Sequence, residues 1–273
     1  MRSVSQNLHG HRPRKSLGQH FLHDPGVLSR IVVAIAPQPD DRMVEIGPGL
    51  GALTRPLLAR LTHLHLIELD RDLAARWRAE AAAGLPITLH EADALDFDFG
   101  RLGPDLRVVG NLPYNISSPL LFHLAEYAAM IRDIHFMLQK EVVDRMAAAP
   151  ASPAYGRLSV MLQARFRVQK LFNVPPGAFT PPPKVESAVV RLVPLPAAAI
   201  PYRDARRFAE IVARAFGQRR KTLRNTLKGW VDEATFAVLG IDPGRRGESL
   251  SVAEFAALAN HPRNGSQTAQ SPD

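Results

Sequence analysis

Short apolar runs alternate along the first half of the chain with stretches in which apolar residues return at helical three- and four-residue steps. Leu28, Ile31, Val32 and Ile35 form the first helical stripe, with Asp24 before it as a cap and Pro25 fitting the first turn. Strands are predicted at 42–47, 64–69, 87–90, 108–110 and 134–138, and helices at 72–83, 118–129 and 139–148. Such alternation calls for an α/β fold, a mostly parallel sheet covered on both faces. After Tyr155 the pattern changes. Residues 158–168 and 185–193 read as two extended segments with no helix between them, which predicts an antiparallel strand pair at one edge of the sheet. Their Pro/Gly-rich connection, 174–183, is expected to be irregular because proline cannot donate to a ladder.

Beyond residue 196 the spacing is helical again. Phe208, Ile211, Val212, Ala215 and Phe216 share one face ended by Gly217, and further helices are predicted at 219–228, 231–239 and 251–258. Ser251 and Glu254 form a capping box for the last. The expected organisation is a basic N-terminal arm over 1–20, a sheet domain over 21–196, a small all-helical domain over 197–262 and a disordered tail over 263–273.

Composition narrows the partners. The 273 residues are 46% hydrophobic, enough for a full core, and no apolar run is long enough to span a membrane, so a soluble, cytoplasmic protein is expected. Cysteine is absent, which excludes disulfides and thiolate metal sites, and the histidines show no compact ligand pattern, so no metal is expected. A net charge of +8 favours a polyanion, with nucleic acid ahead of an anionic membrane surface. Between Pro201 and Trp230 nine Arg or Lys residues face only Asp204 and Glu210. Arg203, Arg206, Arg207, Arg219, Arg220, Lys221 and Arg224 are the candidate phosphate contacts, although some can equally be solvated or paired with Glu210 and Asp232.

Candidate chemistry sits at the predicted strand ends. Gly47, Gly49 and Ala52 have the spacing of a dinucleotide-binding turn, G-x-G-x-x-G/A, and Glu68 follows about 20 positions after Gly47, where an acid can accept from both ribose hydroxyls. NAD, FAD and S-adenosylmethionine (SAM) sites all share these features. Asp93, just past the third strand, can accept from an adenine amine or merely cap a turn. The stretch Asn111-Leu112-Pro113-Tyr114 is more specific. The Asn111 side-chain carbonyl and the Leu112 backbone carbonyl can accept both hydrogens of an aromatic amine, turning its lone pair away from the ring and towards an electrophilic methyl. Tyr114 can stack on the base, worth about 1–3 kcal/mol, once that base has left its own stack. Phe179 is a second stacking candidate or, equally, an apolar plug closing a long loop.

The segments Gly18–Leu22, Glu45–Gly51, Glu68–Asp70, Asp93, Gly110–Ile116, Pro175–Ser187 and Phe216–Asn225, in this order, resemble the ribosomal RNA small-subunit adenine dimethyltransferase family. That family is related to the erythromycin-resistance methylases of large-subunit RNA. The resemblance implies a Rossmann-like SAM-dependent methyltransferase sheet and a SAM pocket formed by His20, Leu22, Gly47, Gly49, Glu68, Asp93 and Asn111. It gives Asn111, with Leu112, the positioning of the target amine, and Tyr114 and Phe179 the two faces of the base. Family members often carry Asn at the position of His20. The implied reaction is two methyl transfers to each of two adjacent adenosines in a hairpin loop near the 3′ end of small-subunit rRNA, on a nearly assembled 30S particle, by a monomer. Three other readings share parts of the pattern: a large-subunit adenine methylase, an NAD-dependent oxidoreductase, and an RNA-binding factor on a retained methylase scaffold.

Overall fold

A computed structural model of the chain describes residues 19–113 and 116–262. Most of the N-terminal arm, Tyr114 and the tail 263–273 therefore lie outside the described residues. In chain order the elements are β1 (Phe21–Leu22), α1 (Pro25–Ile35), β2 (Met43–Ile46), α2 (Thr54–Leu58), β3 (Leu64–Glu68), α3 (Arg71–Ala82), β4 (Ile87–Glu91), β5 (Leu106–Asn111), α4 (Ser117–Glu126), β6 (Ile131–Gln139) and α5 (Lys140–Met146). Then follow α6 (Arg157–Gln163), β7 (Phe166–Val174), β8 (Phe179–Thr180), β9 (Ser187–Pro194), α7 (Ala205–Gly217), α8 (Leu223–Thr226), α9 (Glu233–Leu239) and α10 (Val252–Asn260).

Seven strands form one sheet in the order β4-β3-β2-β5-β6-β9-β7. The first five are parallel, and β9 and β7 add the expected antiparallel pair at one edge. The central strands are largely buried because both faces are covered; every residue of β2 is buried. Successive strands β2, β3 and β4 build outward in one direction, whereas β5 and β6 build in the other. The order thus reverses between β2 and β5. In an open α/β sheet the crevice beyond the strand ends at such a reversal is where ligands bind.

Two compact units divide the described chain, residues 19–144 with 166–194, and residues 145–165 with 195–262. The expected sheet-domain span, 21–196, includes 145–165, which instead belongs to the helical unit. The cause is a misread period. Residues 158–168 are not one strand: α6 comes first, with Val160 and Ala164, four apart, in the core of the helical unit, and β7 starts only at Phe166. Ser159 closes the start of α6 by accepting from the Gly156 N–H at 3.0 Å. The long helix expected over 219–228 is likewise reduced to α8, because the N–H groups of Leu223 and Arg224 go to the carbonyls of Arg245 and Pro243. The connection 174–183 is not wholly irregular. Its two residues of β8 pair antiparallel with β1, Phe21 opposite Thr180 and Leu22 opposite Phe179.

At the N-terminal end of β5 lies a buried ion cluster. Arg107 donates to both oxygens of Asp133, at 2.9 and 2.8 Å, to Asp41 at 2.6 Å and to the Ile35 carbonyl at 2.6 Å. Burial alone would raise Asp41, but hydrogen bonds from the Gln38 backbone, Arg107 and Arg132 outweigh it and hold its carboxyl below the usual range. Among the described residues no helix is long and apolar enough to cross a membrane, and no group of three or more His, Asp or Glu side chains is placed to hold a metal ion.

Candidate functional site

A cavity of about 290 Å³ opens where the sheet order reverses. Its walls come from the loops after β2, β3, β4 and β5 and from the segment leading into β1, and its lining includes His20, Leu22, Gly47, Gly49, Glu68, Asp93, Asn111 and Leu112. All the sequence-predicted cofactor residues therefore meet in one space, on the same side as the amide of Asn111. A concave, largely apolar pocket with a few convergent polar groups is the form a nucleoside-sized ligand requires.

The glycine turn is built as a backbone cradle. Gly47 and Gly49 take φ of +66° and +57°, a region that side-chain-bearing residues rarely occupy. Gly49 is held from both sides: its N–H donates to Glu68 Oε2 at 3.3 Å and its carbonyl accepts from Trp77 Nε1 at 3.0 Å. Glu68 also accepts the Asp70 N–H on Oε1 at 2.9 Å. Burial pushes its carboxyl above the ordinary range, against these N–H donors. With the Leu69 N–H as a third backbone donor, Glu68 keeps acceptor capacity for a hydroxyl of a ligand in the cavity. Asp93 caps its own turn through Leu95 N at 2.9 Å and lines the cavity as well, so the capping and ligand-facing readings coexist.

Asn111 ends β5, and its Nδ2 donates to the His20 carbonyl at 3.0 Å. A carbonyl can only accept, so this contact fixes which end of the amide is NH₂ and leaves the oxygen on the other branch. The preceding residue had no role in the sequence reading. A Cβ on Gly110 would stand 2.6 Å from the Ile46 carbonyl, so only glycine lets β5 lie this close to the end of β2. A glycine inside an apolar strand is the signal for such an approach. Leu112 is buried, and its N–H donates to Met137 O at 3.2 Å, which pins the turn that starts there.

The segment before α1 straps the cavity. Gln19 Nε2 donates to Asp70 at 3.0 Å, His20 Nδ1 donates to the Pro181 carbonyl at 2.8 Å, and β1 pairs with β8. This pairing decides where Phe179 goes. Its ring is only 2% exposed, packed in the core with Leu22 and Val189, and it does not line the cavity. The expected stacking face is thus not presented here; the ring is the apolar plug, because facing Leu22 across the ladder turns it inward. Tyr114, the other expected stacking residue, lies outside the described residues.

Three further residues escaped sequence reasoning. Trp77 was one apolar position among several on α3, yet it anchors the glycine turn. Glu45 and His135, polar residues inside the apolar strands β2 and β6, are buried and line the cavity. A charged or imidazole side chain in an otherwise apolar run was the available signal.

The candidate phosphate contacts sit in the helical unit. Arg219, Arg220 and Lys221 are consecutive and exposed just after α7. Arg203 is exposed too, while Arg206 bonds Glu210 at 3.4 Å and Arg224 forks onto Glu233 at 2.6 and 3.1 Å. Arg207 is half-buried and shares a depression with Arg224, Lys228 and Trp230.

Comparison with known proteins agrees with this geometry. The family described as ribosomal RNA adenine dimethylase matches residues 10–262. The ribosomal RNA small subunit methyltransferase A of Aromatoleum aromaticum is 61% identical over 251 residues, covering 92% of this chain and 94% of that protein. The protein of the same name from Thiobacillus denitrificans is 62% identical over 248 residues, covering 91% and 97%. Among solved structures, a dimethyladenosine transferase from Plasmodium falciparum superposes with a TM-score of 0.75 at 27% identity, covering 88% of this chain and 96% of that one. The 23S rRNA methyltransferase ErmE gives 0.67 at 26% identity, covering 88% and 98%. With a family match across nearly its whole length and relatives above 60% identity, the chain belongs to the ribosomal RNA adenine dimethylase family.

Proposed function

We propose that this chain dimethylates the exocyclic amines of two adjacent adenosines in a hairpin loop near the 3′ end of small-subunit rRNA, acting in the cytoplasm as a monomer on a nearly assembled 30S particle. At the coarser level the protein is a SAM-dependent rRNA adenine dimethyltransferase with a Rossmann-like sheet. One observation supports the chemistry of this reading: the glycine turn and the Asn111 amide line the same cavity at the reversal of the sheet. Gly47, Gly49, Glu68 and Asp93 would hold SAM, with His20 and Leu22 closing over it. Bound there, SAM supplies an electrophilic methyl group.

The chain's residues do the rest by placement. Asn111 Oδ1 and the Leu112 carbonyl accept the two amine hydrogens and hold the nitrogen lone pair out of conjugation. Tyr114 stacks on the flipped base, which offsets part of the few kcal/mol spent on unstacking. No strong base is required, since the nitrogen becomes acidic only as it is alkylated. Arg203, Arg206, Arg207, Arg219, Arg220, Lys221 and Arg224 are proposed to meet phosphates, positioning the RNA without reading sequence.

The structural likeness to ErmE keeps a large-subunit target as the second reading. Offering immature small and large subunits to the protein with methyl-labelled SAM, then mapping the modified nucleotides, separates the two. Label confined to the large subunit would refute the proposal, and RNA binding without transfer would point to a non-enzymatic factor.

A further inference from the structure

Glu45 is a buried acid that the glycine turn does not explain. It stands on β2 two residues before Gly47, is 2% exposed and lines the cavity, and among the described residues its Oε2 has no hydrogen-bond partner in favourable geometry. The Thr54 hydroxyl beside Glu45 is a neutral donor, and a buried carboxylate answered by a neutral donor still lacks a countercharge.

Among the described residues, the surrounding groups supply no cation. Glu68 on β3 is another acid, and Asp93 beyond β4 a third. On β5 the residue opposite Glu45 is Val109, and beyond it on β6 is His135. Burial pushes His135 down to about 4, so it is neutral near pH 7. Arg107, two residues from Val109, is engaged by Asp41 and Asp133. His20, the remaining ionisable group of the lining, donates to Pro181. Burial, with the charge of Glu68 adding to it, outweighs a hydrogen bond from the Thr54 hydroxyl and raises Glu45 to about 8. The acid is therefore mostly protonated at neutral pH, and a cation entering the cavity would be its missing partner.

The methyl donor is such a cation. Its sulfonium carries one positive charge that the thioether product lacks, while ribose, adenine and α-ammonium are common to both. We infer that Glu45 reads the charge of the donor: its carboxyl gives its proton to solvent when SAM occupies the cavity and takes one back from solvent when the neutral product remains. The inference rests on the cavity being the SAM site. Glu45 thereby favours donor over product, and after each transfer the loss of the sulfonium charge weakens the hold on what is left. An enzyme that must exchange cofactor between two successive methylations of one base gains directly from that asymmetry.

Calorimetry of the full chain at pH 7 tests this, using SAM, S-adenosylhomocysteine and the analogue sinefungin, in which an ammonium-bearing carbon replaces the methylsulfonium. Measuring each in buffers of different ionisation enthalpy gives the protons exchanged on binding. For the wild type, SAM and sinefungin should each release close to one proton more than the product does, and SAM affinity should rise about tenfold per pH unit between 6 and 7 while the product's stays nearly flat. Glu68 and Asp93 face parts shared by all three compounds, so they cancel in the difference. Glu45→Gln should bind both SAM and product and abolish the difference. Equal proton counts for donor and product in the wild type, or an undiminished difference in Glu45→Gln, would overturn the inference while leaving the site in place. Glu68→Gln and Asp93→Asn with unaltered SAM affinity would overturn the site assignment, and the inference with it.

Discussion

Replacing Gly110 by alanine should damage the reaction through backbone geometry alone. The new methyl would stand 2.6 Å from the Ile46 carbonyl oxygen and 3.1 Å from Leu112 Cδ2. Restoring ordinary contact needs a shift of about 0.4–0.8 Å between the ends of β2 and β5, and overpacking of this kind costs about 1–3 kcal/mol. Those two ends carry the glycine turn and Asn111. A displacement approaching 1 Å between a donor and a positioned acceptor lowers rates by up to about 10²-fold. Urea unfolding should therefore show a folded protein with a lower midpoint. Single-turnover methyl transfer, at saturating SAM and under conditions where the variant is fully folded, should fall by about 10- to 100-fold. A rate within twofold of the wild type would refute the claim that this close approach sets the reacting distance. So would a rate loss that merely tracked the unfolded fraction.

Other perturbations test separate parts of the structure. Arg107→Met removes the fork that holds the buried Asp133 and leaves Asp41 with Arg132 and the Gln38 N–H, and it should cost about 3–5 kcal/mol in urea unfolding, far more than loss of an exposed pair. Burial, together with His63, His90 and Arg42, lowers His65 to about 4, so the unfolded chain binds more protons between about 4 and 6.5. Stability from His65 is complete above about 6.5 and lost as pH falls towards 4; thermal melting should follow that slope, and His65→Gln should reduce it, leaving the share of His135, which burial lowers to a similar value. Phe179→Ala should cost about 3–5 kcal/mol, as a core truncation does; full stability with impaired transfer would instead restore the base-stacking role. Exchanging Arg219, Arg220 and Lys221 together for Gln should reduce the slope of log affinity against log salt by about 2–3 on small-subunit rRNA, whereas Arg224→Gln, already forked onto Glu233, should change it less.

Legibility in the sequence followed the range of the forces involved. The central strands were readable because residues buried on both faces leave a short apolar run, as in Val108–Gly110 of β5. Residues 158–168 were misread because so short an apolar stretch fits either period, and the packing of Val160 and Ala164 in the helical unit decided the matter. The pairing of β1 with β8 joins segments more than 150 positions apart around a proline cluster, and no local pattern announces it. For that reason Phe179 could be named but not placed. Asn111, Glu68 and Asp93 were found because each lies at or just past a strand end and carries a polar group where apolar spacing stops. Glu45, only two residues before the glycine turn, looked like part of β2 and was passed over. Trp77 was hidden for a related reason, since a helix face lists its buried residues without saying which one reaches a loop.

The strap also accounts for histidine at position 20, where the resemblance leads one to expect asparagine. The group that holds Asn111 is the backbone carbonyl of residue 20, which every amino acid provides. The imidazole is used elsewhere, on the Pro181 carbonyl, where a side-chain amide could donate as well. Side-chain identity at position 20 thus bears on how the strap meets the 174–183 connection, and only through that on the amide. Gly110 shows the same division from the other side, acting by having no side chain. In both places the reacting geometry is set by main-chain atoms, so residues that touch neither base nor cofactor control how closely the two can approach.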